Sequence, residues 1–251
     1  MLNKESIKIK GYMPKIIAHR GASAYVPENT IQAIELSKKL GAKCVELDVC
    51  LTKYNEPVII HDNNLKRTAN VKGYVSSYSF KELLSFDVGS WFDEKFHDFK
   101  IPHFTEVINV LNEIDLDVNL ELKPFRGNDK ELVGVVLDVV NKMWPKNKKL
   151  PLLSSFSIDS LKYVKDMNDN IPLGFLVTSW CEGYNFWYDK LNCSTLHINF
   201  KNLKKKVMDE LIESKKHVYA YTVNDTEKAL ELFRIGVSGI FTDYPDLLEK
   251  Q

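Results

Sequence analysis

Three features of the chain predict an α/β fold built on a parallel sheet. Short apolar runs alternate with helical patterns along nearly the whole length. The length, 251 residues, suits a single (β/α)8 barrel of about 250 residues. Hydrophobic residues make up 44% and charged residues 27%, the balance of an ordinary globular domain and not of a disordered chain. A chain this long buries roughly 70–75% of its unfolded surface, so it needs no disulfide staples.

The first apolar run, residues 16–19, reads as a strand and ends in His19-Arg20-Gly21. A helix follows over residues 30–40, where Asn29 or Thr30 can cap the start and Gly41 can end it. Residues 44–51 and 57–61 read as two strands separated only by Thr-Lys-Tyr-Asn-Glu. That link is too short for a crossover helix, so the pair forms an antiparallel hairpin. A turn centred near Tyr54 sets His61 opposite Leu47.

Residues 63–104 break the rhythm. They hold Gly73, Gly89 and the aromatics Trp91, Phe92, Phe96 and Phe99. This stretch is too long for a plain loop and reads as a small excursion packed by its own aromatics. Beyond it, helices fit residues 105–113, 129–143, 158–167, 204–214 and 225–235. Strands fit residues 118–122, 152–156, 173–177, 195–198, 218–222 and 239–242. The total is nine strands, and removing the returning hairpin arm leaves eight in parallel. That arithmetic fits a (β/α)8 barrel, with an open doubly wound sheet as the alternative.

Lys plus Arg number 34 and Asp plus Glu number 34, so the formal net charge is zero. A nucleic-acid partner calls for a basic excess, and an anionic membrane surface calls for a polybasic patch. Neither is present. No apolar run approaches the roughly 18 residues of a membrane span, and the first residues have no apolar signal-peptide core. Cys44, Cys50, Cys181 and Cys193 form no CxxC pair and read as buried, reduced thiols. The expectation is a soluble, cytoplasmic protein.

Strands covered on both faces should be almost continuously apolar. Two are not. In Val45-Glu46-Leu47-Asp48-Val49 the carboxylates alternate with apolar residues, so Glu46 and Asp48 share a face. In Val118-Asn119-Leu120-Glu121-Leu122-Lys123 the residues Asn119, Glu121 and Lys123 share one. Three carboxylates aimed into a barrel cost several kcal/mol each unless compensated. A hard divalent cation, Mg²⁺ or Ca²⁺, suits an oxygen-only ligand set. An internal ion network with Lys or Arg is the rival explanation. His19 falls at the carboxyl end of the first strand, where barrel enzymes keep their chemistry. His61 falls beside the carboxylate strand. Two histidines imply proton transfer near neutral pH, and Arg20 and Lys123 suit an anionic phosphate. Phosphodiester cleavage uses all of these parts.

At this point the chain resembles the glycerophosphodiester phosphodiesterase family. The resemblance runs from Ile16 to about Leu247. It rests on His19-Arg20-Gly21, Pro27-Glu28-Asn29-Thr30, Glu46-Leu47-Asp48, His61-Asp62, Arg67-Thr68, Gly89-Ser90-Trp91-Phe92, Ile101-Pro102 and Glu121-Leu122-Lys123, and near the end on Tyr221-Thr222-Val223-Asn224 and Thr242-Asp243-Tyr244-Pro245, all in the family's order. The resemblance implies one TIM-barrel domain over residues 1–251, with a small inserted subdomain at about 63–104 after the second-strand hairpin. It places metal ligands on Glu46, Asp48 and Glu121, the acid–base pair on His19 and His61, and phosphate contacts on Arg20 and Lys123. The implied reaction turns a small glycerophosphodiester, such as glycerophosphocholine or glycerophosphoethanolamine, into glycerol 3-phosphate and an alcohol. Where the family commonly has Trp, this chain has Tyr221, which keeps an aromatic face. Phe156 and Trp180 also follow predicted strands and are candidate pocket residues. Three other readings use the same site: attack by the substrate's own 2-hydroxyl to give a cyclic phosphate, a lysophospholipid substrate, and a non-catalytic phosphate-binding barrel. Against the last, every candidate catalytic position is filled. Neither Asp243 nor His197 has an assigned role, and His197 reads as a core or rim histidine.

Overall fold

The strands are Ile16–His19 (β1), Cys44–Leu51 (β2), Pro57–Ile59 (β3), Asp117–Leu122 (β4), Leu152–Ser155 (β5), Leu173–Val177 (β6), Thr195–Asn199 (β7), Val218–Tyr221 (β8) and Gly239–Thr242 (β9). The computed structural model describes residues 12–249. All strands but β3 run parallel, and β1 pairs with both β2 and β9. The sheet therefore closes into a barrel of eight parallel strands, and the open-sheet alternative is excluded. β3 lies outside, antiparallel to β2, with Val49 opposite Ile59 and Leu51 opposite Pro57. Carried two residues further, that register sets His61 against Leu47, as the short turn predicts.

The helices are Ile31–Lys39 (α1), Lys66–Ala69 (α2), Phe80–Leu83 (α3), Phe104–Glu113 (α4), Asp129–Met143 (α5), Ile158–Met167 (α6), Gly183–Lys190 (α7), Lys205–Glu213 (α8) and Thr226–Arg234 (α9). α1 begins where Thr30 Oγ1 accepts the Ala33 N–H. It ends at Gly41, whose φ of +89° is the left-handed conformation that glycine adopts freely. Ser157 and Asp225 cap α6 and α9 in the same way as Thr30. The sequence reading missed α7. Its aromatic-rich run Tyr184 to Tyr188 has weak helix propensity, and only Tyr188 is buried, so no apolar stripe of helical period shows.

Two apolar layers position the site. Outside the barrel, Val45, Leu47, Val49, Val118, Leu120 and Leu122 pack under Ile34, Val107, Val133 and Val136 of the helices. Inside, Met13, Ile17, Cys44, Leu152, Tyr219 and Phe241 form a second cluster. Tyr219 is sealed there, its hydroxyl donating to the Met13 carbonyl at 2.8 Å. This plug fills the barrel below the strands' carboxyl ends and leaves those ends to the polar residues. Among the described residues, no helix is long and apolar enough to cross a membrane.

Between β3 and α4 the chain makes its excursion, which carries α2 and α3. Trp91, Phe92, Phe96 and Phe99 stack as a series with centroids 5.3–5.8 Å apart. They are not its buried centre, as the sequence suggested. That centre is aliphatic: Leu65, Val75, Leu83, Val88 and Ile101 close on Val58 and Ile60. Of the four aromatics only Phe99 packs against it. The thiol reading also needs a correction. All four cysteines are free, but Cys181, in the loop after β6, is exposed while the other three are buried.

Gly89 explains why the excursion's Gly-Ser-Trp-Phe run starts with glycine. A Cβ there would lie 1.8 Å from the Phe96 carbonyl oxygen. Gly89→Ala is expected to destabilise the protein by about 1–3 kcal/mol through overpacking. The measurement is the urea midpoint, with an unchanged slope. A midpoint equal to that of the parent protein would contradict this account.

Candidate active site

β2 and β4 are neighbours, with Glu46 opposite Asn119 and Asp48 opposite Glu121. Pairing in this register stacks the three inward carboxylates. Oxygens of Glu46, Asp48 and Glu121 all lie within 4.8 Å of one another, and all three residues are buried. Compensation is partial. Asn29 Nδ2 donates to Asp48 Oδ2 at 2.8 Å, while the Asp48 N–H donates to Asn29 Oδ1 at 3.2 Å. Asn29 holds this double bond from a left-handed backbone, φ +59°, which Asn tolerates better than most residues. Glu46 Oε2 accepts the Arg20 N–H at 3.0 Å. Lys123 Nζ donates to Glu121 at 2.8 Å and lies 3.6 Å from Asp48 Oδ1. Arg20 Nε lies 3.5 Å from Asp48 Oδ2.

The ion network expected as the rival reading therefore exists in part, but it leaves a remainder. Glu46 Oε1 and Asp48 Oδ1 are buried without a hydrogen-bond partner among the described residues. Burial pushes the Glu46 carboxyl well up, and Asp48 and Glu121 add to that. Burial would raise Asp48 as well, but Lys123, Arg20 and His61 together hold it down at about 2. Burial and the charge of Asp48 raise Glu121. Two cations face three carboxylates, and two of the carboxylate oxygens lack a hydrogen-bond partner. Such an oxygen-only donor set could hold a hard divalent cation.

A carboxylate backs each histidine. His19 Nδ1 lies 2.7 Å from Asp243 Oδ1, which also accepts the Ser23 hydroxyl at 3.0 Å. Asn224 holds the other oxygen of Asp243. His61 Nδ1 lies 2.6 Å from Asp62 Oδ1. Arg67 of α2 then donates to Asp62 at 2.6 Å and to both oxygens of Glu28 at 2.9 and 2.7 Å. Glu28 in turn accepts from Arg20 at 2.8 Å. A carboxylate at Nδ1 favours the proton there and frees Nε2. Burial lowers His61, with Arg20 and Lys123 adding to the effect and Asp48 and Asp62 opposing it.

Both histidines line one cavity of about 380 Å³ together with Arg20, Glu46, Glu121 and Lys123. Asp48 sits beneath them, 1% exposed. Of the candidate aromatics, Phe156 and Tyr221 line the cavity, their rings edge-on at 6.2 Å. Trp180 does not line it. Its ring lies 6.2 Å from Tyr184 of α7, with Lys216 over it, because the chain after β6 turns toward the helix layer. Five contributors have no role in the site on sequence grounds: Asp62, Asp243, Glu28, Asn29 and Arg67. All five sit in the quoted motifs, so the signal is present. What was missing was the knowledge of which side chain each one meets.

Comparison with known proteins shows which family the chain belongs to. The profile of the glycerophosphoryl diester phosphodiesterase family matches residues 19–247. The chain belongs to that family. It is accordingly an enzyme that hydrolyses phosphoric diesters. A glycerophosphodiester phosphodiesterase of Caldanaerobacter subterraneus subsp. tengcongensis is 32% identical over 93% of this chain and 95% of its own length. One from Bacillus altitudinis is 31% identical over 93% and 96%. Among solved structures, an Oleispira antarctica phosphodiesterase in complex with the product sn-glycerol-3-phosphate superposes with a TM-score of 0.91. It is 32% identical, covering 95% of this chain and 96% of that one.

His197, which also lines the cavity, gives a test by pH. Burial pushes its imidazole down to about 3, against about 6.5 in an unfolded chain. Between those values the unfolded chain takes up a proton that the folded chain refuses. Stability is therefore lost as pH falls through that window, by up to about 1.4 kcal/mol per pH unit. His197→Gln should flatten the slope of unfolding free energy against pH between roughly pH 6 and pH 4. Equal slopes for the two proteins would show that His197 is not held neutral.

Proposed function

We propose that the protein is a metal-dependent glycerophosphodiesterase, releasing glycerol 3-phosphate and an alcohol such as choline or ethanolamine from small glycerophosphodiesters. One observation carries this reading. Three buried carboxylates, two of whose oxygens lack a hydrogen-bond partner, are grouped with two cations and two carboxylate-backed histidines, with Glu46 and Glu121 lining the cavity and Asp48 just beneath it. The resemblance to a phosphodiesterase whose complex holds sn-glycerol-3-phosphate supports the substrate class.

In this reading Glu46, Asp48 and Glu121 hold one divalent cation, Mg²⁺ or Ca²⁺. When bound, it supplies positive charge where negative charge develops on the phosphoryl oxygens. Arg20 and Lys123 hold the non-bridging oxygens, and Glu28 fixes the Arg20 guanidinium. One histidine takes the proton of the attacking water, and the other gives a proton to the leaving alkoxide. Asp243 and Asp62 orient the two rings and stabilise the imidazolium that forms. The excursion acts within the same single domain, because Arg67 reaches back to Asp62 and Glu28.

Purified protein with Mg²⁺ or Ca²⁺ should release glycerol 3-phosphate from glycerophosphocholine or a related diester. Absence of turnover on every glycerophosphodiester with either ion would end this reading. His19→Ala and His61→Ala should each lower kcat by about 10²- to 10⁴-fold, with the melting temperature unchanged. Activity surviving both changes would move the chemistry elsewhere. Either ion should also raise the melting temperature of the parent protein by linkage. The same addition should do little for Asp48→Asn, and an equal gain in both proteins would take the cation away from this cluster.

A further inference from the structure

The cavity floor carries polarity that the proposed chemistry does not use. His197 of β7 and Asn119 of β4 are each 1% exposed, and both line the cavity. His197 Nδ1 and Asn119 Oδ1 have no hydrogen-bond partner among the described residues. The His197 ring is fixed from several sides. Its Nε2 lies 2.8 Å from Thr195 Oγ1, and its ring meets Phe241 at 4.8 Å and Tyr219 at 6.0 Å. Gly174 makes room for it, since a Cβ at that position would come within 2.8 Å of His197 Cε1 and of Leu152 Cδ2. Leu152 is the β5 residue paired with Asn119, so the two unpartnered atoms belong to one stretch of floor. A buried polar atom left without a bond is costly, and this floor holds two.

We propose that this floor is a diol subsite, in which His197 Nδ1 and Asn119 Oδ1 bond free hydroxyls at the glycerol end of the substrate. The proposal rests on the glycerophosphodiesterase reading and extends it to the residues that recognise glycerol. The donor chemistry fits. Asn119 Oδ1 can only accept, so it requires a hydroxyl that donates. A neutral imidazole has one donor and one acceptor, and the Thr195 hydroxyl can turn to complement either. His197 Nδ1 is thus free to give or take a hydrogen bond. Burial keeps that ring neutral. Below the pair, Ile17, Leu152, Tyr219 and Phe241 close the barrel. A short polyol therefore fits, and the second ester arm must leave toward the mouth.

The test compares two substrates on one enzyme. A glycerophosphodiester carries the diol, and bis(4-nitrophenyl) phosphate does not. His197→Leu should lower kcat/KM on the glycerophosphodiester by about 10- to 100-fold, mainly through KM. Its loss on bis(4-nitrophenyl) phosphate should be at least about tenfold smaller, since no hydroxyl is read there. His197→Gln should recover much of the difference, because its amide restores a polar atom. Equal losses on both substrates would mean a merely structural role and would overturn the subsite. If the variants fold poorly, the parent protein alone decides. It should discriminate by a similar factor against a phosphodiester of 1,3-propanediol, which lacks the middle hydroxyl, and equal rates on the two would overturn the subsite. Failure of the parent protein on all glycerophosphodiesters would instead remove the reading on which the subsite rests, and the subsite with it.

Discussion

The mutual repulsion of Glu46, Asp48 and Glu121 is the constraint on which the rest of the site depends. The parallel register sets Asp48 opposite Glu121, with Glu46 two residues before Asp48 on the same face of β2, and their oxygens lie within 4.8 Å. Burial strengthens the repulsion because little water screens it. The sequence answers in layers. Asn29 bonds Asp48 from a left-handed turn. The Arg20 N–H bonds Glu46, and Lys123 reaches Glu121 and Asp48. Even so, Glu46 is pushed up while Asp48 is held low at about 2. Burial and the neighbouring carboxylates push one carboxyl up, while the cations beside the other hold it down.

Tolerating such a cluster requires a rigid frame, and the barrel supplies one through a division between its ends. The plug of Ile17, Leu152, Tyr219 and Phe241 packs one level of the interior. The outward residues of β2 and β4 pack under the helices. With both surroundings of the strands filled, the backbone that carries the inward carboxylates is held in place. The same alternation that made the two strands look anomalous in the sequence is what fixes the cluster.

That alternation is also why so much of the site was legible. Glu46, Asp48, Glu121 and Lys123 follow from a period of two on strands that ought to be apolar. His61 follows from a five-residue link that fixes the register of a hairpin. The barrel follows from counting strands, although its closure needed the β1–β2 and β1–β9 pairings. What stayed hidden depends on contacts between distant segments. Asp243 meets His19 across 224 residues, and no local pattern encodes that. Arg67 meets Glu28 across 39. His197 was read as an ordinary core or rim histidine because its one unpartnered nitrogen shows only once Gly174, Thr195 and Phe241 surround it. α7 escaped because its aromatics hide any helical stripe.

The excursion shows how the distant contacts converge. Arg67 leaves α2 and places its guanidinium between Asp62 and Glu28, with the Trp91 ring 5.3 Å away. Asp62 backs His61 and Glu28 backs Arg20. One cation outside the barrel thus ties a histidine from the hairpin to an arginine from the end of β1. Arg67 is 40% exposed at its side chain, so each single pair contributes little on its own. The arrangement gains its value from geometry. Glu28 accepts from both arginines and cannot swing toward one without leaving the other, so the positions of His61 and Arg20 are correlated. Trp91 and Phe92 lie two and three residues after Gly89, where no side chain fits. A series of contacts thus runs from the excursion to the cavity: the Trp91 ring meets the Arg67 guanidinium, Arg67 donates to Asp62, and Asp62 backs His61. An excursion with an aliphatic centre of its own is a better base for such a path than a bare loop, because each of its links is held by packing before it meets a charge.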